Sequence, residues 1–104
     1  MNRFDVYHVD LNPTQGAEMK KVRPAIIISP DAMNRNLQTV IVAPLTHTLK
    51  GYPSRVALQF DTQPGEVALD QLRVVDKFRL IKKKGSIDAG TANRIKAVLG
   101  TMFS

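Results

Sequence analysis

Residues 24–29, "PAIIIS", and residues 38–45, "QTVIVAPL", are nearly continuous aliphatic runs rich in β-branched side chains. Short runs of this kind, with almost no polar alternate, are what strands covered on both faces look like. They predict two central strands that form the core. Between them "PDAMNRN" at 30–36 opens with Pro and Asp, which suits one short helical turn before the next strand.

Outward from this pair, strand signals dominate the first three quarters of the chain. "FDVYHVDL" at 4–11 alternates, with Phe4, Val6 and His8 on one face and Asp5, Tyr7, Val9 and Leu11 on the other, so polarity does not separate the faces cleanly. "RVALQF" at 55–60 sets Val56, Leu58 and Phe60 against Arg55, Ala57 and Gln59, the pattern of a half-exposed antiparallel strand. "GEVALDQLRVVDKFRL" at 65–80 opens as a further strand and then mixes charges into an apolar frame, and "KKKGS" at 82–86 reads as a turn that ends the β region. The period then changes. From Asp88, a fitting N-cap, Ala92, Ile95, Leu99 and Met102 recur at spacings of three and four, with Arg94 and Lys96 left for solvent. The expectation is a mainly β domain, an antiparallel meander bent into a small, partly open barrel, with a C-terminal amphipathic helix weakened by Gly100.

At 104 residues the chain has enough length for one core and one domain, residues 1–104. With no cysteine there is no disulfide, no thiolate metal site and no cysteine nucleophile. The opening "MNRFDVYHVD" lacks the apolar run of a signal peptide, and no stretch approaches the roughly 18 apolar residues of a membrane span, so a cytoplasmic protein is expected. Fifteen Lys and Arg against nine Asp and Glu give a net charge of +6. That excess favours polyanionic partners, nucleic acid first, although basic charge alone also serves solubility.

Common catalytic motifs are absent: no phosphate-binding glycine loop, no HExxH, no GxSxG. The two histidines, His8 within a strand and His47 at a strand end, are isolated, and isolated histidines are more often structural or exposed than catalytic. What remains are polar residues at the ends of core strands, where a rigid backbone delivers a side chain to solvent. Arg23 precedes Pro24, Thr46 ends "VIVAPLT", and Asp70 interrupts "EVALDQL". On spacing alone these are equally a surface charge, a turn hydroxyl and a partner for some lysine.

The same residues carry a resemblance. "VDLNPTQGAEMKKVRPAIIISP", "TVIVAPLTHTLKGYPSRVAL" and "GEVALDQLRVVDKFRL" follow in order the pattern of the MazF/PemK (Kid) toxin family: P-T-x-G-x-E, R-P, P-x-T and D-Q-x-R. The likeness spans nearly the whole chain. It implies an SH3-like barrel with a C-terminal helix, a homodimer, and an endoribonuclease that is the toxin half of a type II toxin-antitoxin pair. Its substrate would be single-stranded mRNA, and its second partner a cognate antitoxin. The reaction implied needs no metal or cofactor, since the RNA's own 2′-hydroxyl attacks and leaves a 2′,3′-cyclic phosphate and a 5′-hydroxyl. By the same resemblance Arg23 falls on the catalytic arginine, Thr46 on the threonine that closes the third strand, and Glu18 on the acid of the G-x-E loop. Asp70, Gln71 and His47 are further candidates for catalysis or RNA binding, and Lys20, Lys21, Lys50 and Arg73 for RNA binding. PemK-type members use a histidine and an Arg-x-Asp pair. Here those positions read Ala17 and Ala68-Leu69-Asp70, an aspartate without its arginine, which favours the MazF style.

Elementary chemistry agrees with these roles. A guanidinium stays protonated and offers a planar fork of donors to phosphorane oxygens, a threonine hydroxyl can donate to a non-bridging oxygen, and a glutamate can accept the 2′-hydroxyl proton. Two other readings share this barrel. A DNA gyrase poison resembling CcdB would act through a terminal Trp-Gly-Ile, whereas this chain ends "GTMFS" and contains no tryptophan. A barrel that binds nucleic acid without cutting it would rely on Lys82, Lys83 and Lys84.

Overall fold

A computed structural model describes residues 1–11 and 21–104. Its hub is β3 (Thr39–Thr46), the strand predicted from "QTVIVAPL". One edge of β3 pairs antiparallel with β2 (Val22–Ile27), in the register Ala25↔Pro44 and Ile27↔Val42. The other edge is shared: β6 (Arg73–Asp76) takes Thr39 to Val42, and β5 (Gln63–Ala68) takes Leu45 and Thr46. β1 (Asp5–Asp10) lies between β2 and β7 (Leu80–Ser86), and β4 (Arg55–Phe60) closes the far side on β5, giving the order β4-β5-β3-β2-β1-β7 with β6 also on β3. The sheet curls into a half-barrel.

The expected meander is therefore corrected. Spatial order departs from chain order at β1 and β3, because the "GEVALDQLRVVDKFRL" segment does not form one hairpin arm. It follows β3 twice, and between its two pairings the register jumps from Leu45↔Val67 to Val42↔Arg73. A 3₁₀ turn, Leu69–Gln71, takes up the extra residues, and a second one, Lys77–Arg79, leads into β7. "KKKGS" is also corrected, from a turn to the body of β7, where His8 faces Lys82 and Tyr7 faces Lys83. Its lysines are exposed on an outer strand, and lysine on an edge strand discourages pairing with other chains. Between β4 and β5 only Asp61 and Thr62 turn the chain, both at positive φ, as in a tight two-residue hairpin.

Alternation along the strands serves two cores. Ile26, Ala43, Leu45, Val56, Val67 and Leu69 pack on one face, with Phe4 and Val6 against them. Ala25, Ile27, Val40, Val42, Val75 and Val9 pack on the other, with Tyr7 and Leu11. This explains the mixed polarity of "FDVYHVDL": each of its faces meets apolar neighbours. The short helix α1 (Asp31–Asn36) forms where one helical turn was expected, and its buried Asn34 bonds Ser29 through both side chain and backbone. The C-terminal helix α2 (Ala89–Met102) covers the first core with Ile95, which is fully buried, and Ala92. Asp88 caps it, accepting from the Thr91 backbone N–H at 3.2 Å and the Thr91 hydroxyl at 2.6 Å. Those two bonds hold the Asp88 carboxyl below its usual range.

Candidate active site

The second core's stripes run out of apolar residues at one end of the sheet. On β2 the face reads Ile27, Ala25, then Arg23; on β3 it reads Val40, Val42, Pro44, then Thr46. Extending the Ala25↔Pro44 register outward by two residues sets Arg23 opposite Thr46. A cleft of about 520 Å³ opens there, lined by Arg23, Thr46, Lys21, Lys50, Gln71 and Arg73 together with Thr48, Arg55, Leu11, Pro44, Leu45 and Ala68.

Arg23 is exposed and makes no hydrogen bond or ion pair among the described residues. Its side chain lines the cleft. The Thr46 hydroxyl oxygen accepts from the Thr48 backbone N–H at 3.0 Å, which orients the oxygen and leaves its hydrogen to donate. Arg73 donates from Nη1 to the Leu11 carbonyl at 3.3 Å, so its guanidinium is tied to the residue that follows β1. Among the described residues no three His, Cys, Asp or Glu side chains gather where they could hold a metal ion.

Of the residues singled out in sequence, Arg23, Thr46, Lys21, Lys50, Gln71 and Arg73 share this cleft. Glu18 and Lys20 lie outside the described residues. His47 does not join them. The residue after Thr46 points to the opposite face, where its ring stacks on Phe60 with centroids 4.0 Å apart and its Nδ1 sits 2.9 Å from the Pro64 carbonyl. Asp70 stands behind the cleft rather than in it. Its carboxylate takes the Arg55 Nε at 2.7 Å and Nη2 at 3.3 Å, and Arg55 holds it below the usual aspartate range. An acid committed in this way is a poor proton acceptor.

Two residues escaped the sequence reading, Arg55 and Glu66. Arg55 was placed on an exposed strand face, yet its side chain is only 6% exposed. It lies directly across the β4–β5 ladder from Ala68. The aspartate that seemed to lack its arginine thus receives a guanidinium from the neighbouring strand. Glu66, buried on β5, accepts from Arg55 Nη1 at 3.2 Å and from the backbone N–H groups of Lys50 and Gly51 at 3.0 and 2.9 Å. The two amides, more than the arginine, hold its carboxyl below the usual range. The available signal was the two-residue hairpin. Closing "RVALQFDTQPGEVAL" on Asp61-Thr62 brings the charge that opens one strand beside the charge near the end of the other.

The family model described as a PemK-like, MazF-like toxin of type II toxin-antitoxin systems matches residues 2–103. The Escherichia coli K12 endoribonuclease toxin MazF is 31% identical over 100 residues, covering 95% of this chain and 90% of the relative. The Staphylococcus saprophyticus endoribonuclease MazF is 37% identical over 89 residues, covering 80% of this chain and 74% of the relative. Among solved structures, a mycobacterial endoribonuclease in complex with its cognate antitoxin superposes with a TM-score of 0.82 at 29% identity, covering 99% of this chain and 94% of that one. A MazE–MazF complex from Deinococcus radiodurans gives 0.82 at 26% identity, covering 99% and 95%. With its family pattern matched from one end to the other, and its half-barrel shared with solved members, the chain belongs to the PemK-like, MazF-like toxins of type II toxin-antitoxin systems.

Proposed function

We propose that this chain is the toxin of a type II toxin-antitoxin pair and an endoribonuclease that cuts single-stranded RNA in the Arg23–Thr46 cleft. The observation that carries this reading is the exposed guanidinium of Arg23, which has no side-chain partner among the described residues, in one cleft with an oriented threonine hydroxyl at the end of two strands. Lys21, Lys50 and Arg73 add cationic charge around them, suited to a polyphosphate backbone. Among the described residues, Glu66 and Asp70 are paired with Arg55 and do not line the cleft.

In the reaction the 2′-hydroxyl attacks the adjacent phosphorus in line and the 5′-oxygen leaves, giving a 2′,3′-cyclic phosphate and a 5′-hydroxyl. Negative charge grows on the phosphorane oxygens. Arg23 meets it with a fork of N–H donors, and Thr46 donates one hydrogen bond to a non-bridging oxygen. Glu18 takes the proton of the attacking hydroxyl, and the departing 5′-oxygen takes up a proton from solvent to become the 5′-hydroxyl. No step calls on a metal or cofactor.

The partners follow from the same surfaces. Val74, Phe78 and Ile81 are large apolar side chains 61%, 76% and 52% exposed, and exposed apolar side chains of this kind suit burial against a second copy in a homodimer. A cationic groove made for RNA equally suits an acidic, extended antitoxin segment, so one ligand excludes the other. Residues 1–104 act as one domain, and the working compartment is the cytoplasm. Among the described residues no helix is long and apolar enough to cross a membrane. The gyrase-poison reading is not favoured, since the curated relatives are endoribonucleases and the chain has no tryptophan.

Purified protein should fragment a long single-stranded RNA and leave a duplex of the same sequence whole; RNA left intact at stoichiometric protein would refute the activity. RNA affinity should fall by at least about tenfold between 50 and 200 mM salt, as phosphate contacts release counterions. A flat salt profile in a filter-binding titration would argue for a protein target instead.

A further inference from the structure

Beside the cleft, with Arg55 in its lining, lies an ion-pair cluster that the reaction above does not use, buried at Arg55 and Glu66 and open to solvent at Asp70. Arg55 engages Asp70 with two donors and Glu66 with a third, and the side chains of Arg55 and Glu66 are 6% and 7% exposed. Burying charge is costly unless every ion is paired and its remaining lone pairs are filled. Here the filling comes from one loop. The backbone N–H groups of Lys50 and Gly51 donate to the two Glu66 oxygens, and the Ser54 hydroxyl donates to Asp70 Oδ1 at 3.0 Å. All three belong to residues 47–54, which connect β3 to β4, and the same stretch carries Lys50 into the cleft. Gly51, at φ +65°, makes the turn that lets two successive amides face one carboxylate.

We infer that Arg55 is a positioning residue for substrate binding: by fixing Glu66 and Asp70 it holds loop 47–54 in the shape that keeps Lys50 at the cleft. This rests on reading the cleft as an RNA site. Arg55 directs all three of its nitrogens to two carboxylates, so its effect on RNA runs through Lys50. Losing the cluster loosens the loop, weakens RNA binding and spares the chemistry at Arg23 and Thr46.

The test combines amide hydrogen exchange with steady-state cleavage of a single-stranded RNA oligonucleotide by the full chain. In Arg55→Ala, exchange at the Lys50 and Gly51 amides should quicken by about tenfold or more. KM should rise about tenfold with kcat within about threefold, and Arg55→Lys should fall between wild type and Arg55→Ala. Because Arg55 works through Lys50, adding Arg55→Ala to Lys50→Ala should raise KM by less than about threefold further. Should Arg55→Ala fail to fold, Glu66→Gln, which keeps the shape and removes the charge, carries both readouts with the same expected directions. Unchanged exchange, a fall in kcat at constant KM, or fully multiplicative effects with Lys50→Ala would each overturn the inference. A wild-type chain that does not cut RNA would instead sink the ribonuclease reading, and the KM half of this inference with it, while the exchange arm still decides whether the cluster anchors the loop.

Discussion

Arg23→Ala is expected to lower RNA cleavage by about a hundred- to a thousandfold or more, the usual cost of removing one preorganised donor from a developing oxyanion. The folded state should barely change. Arg23 is exposed at the start of β2 and has no partner among the described residues, so its truncation opens no cavity and orphans no buried charge. Arg23→Lys should recover only part of the rate, because a point ammonium cannot reproduce the planar fork. His47→Ala should keep most activity, since that ring stacks on Phe60 on the opposite face. Circular dichroism and thermal melts alongside single-turnover cleavage separate these outcomes. Near-normal cleavage by Arg23→Ala with a dead His47→Ala would transfer the chemistry to a histidine.

The largest expected loss of stability is at the helix–sheet contact. Ile95 is fully buried and is the α2 side chain that joins Ile26, Leu45, Val56 and Leu69 in the first core. Ile95→Ala removes three buried carbons from a position that rigid strands cannot collapse to fill, and should cost about 3 kcal/mol. For a domain of this size that is a melting midpoint lower by roughly 12–20 °C. Arg23 and Thr46 continue the stripes of the other face of the sheet, so the variant should cut RNA normally at temperatures where it remains folded. A loss below about 1 kcal/mol in a urea titration would mean that α2 is not a structural cover for that core.

Much of this architecture could be read before the structure. "PAIIIS" and "QTVIVAPL" are apolar on both faces because each strand separates two cores, and Asp88 with the Ala92–Ile95–Leu99 spacing marked α2 and its cap. Arg23 and Thr46 were legible for the same reason: each interrupts an apolar stripe at its end. The rest depends on long-range pairing that a linear pattern does not carry. A lysine run looks the same in a turn as on an edge strand, and β7 was hidden in "KKKGS" for that reason. Arg55 looked solvent-facing because strand alternation assigns a face, and only the β4–β5 register reveals that this face holds Glu66 and, past the end of β5, Asp70.

The proposed reaction is cleavage by the RNA's own 2′-hydroxyl, with Arg23 and Thr46 stabilising the transition state and no metal taking part. The most direct test incubates the purified chain with a long single-stranded RNA in excess EDTA and determines the chemistry of the new ends. Cleavage should be undiminished, with every upstream fragment ending in a 2′,3′-cyclic phosphate and every downstream fragment beginning with a 5′-hydroxyl. Activity that vanishes in EDTA and returns with a divalent ion, or fragments that begin with a 5′-phosphate, would contradict the proposed reaction.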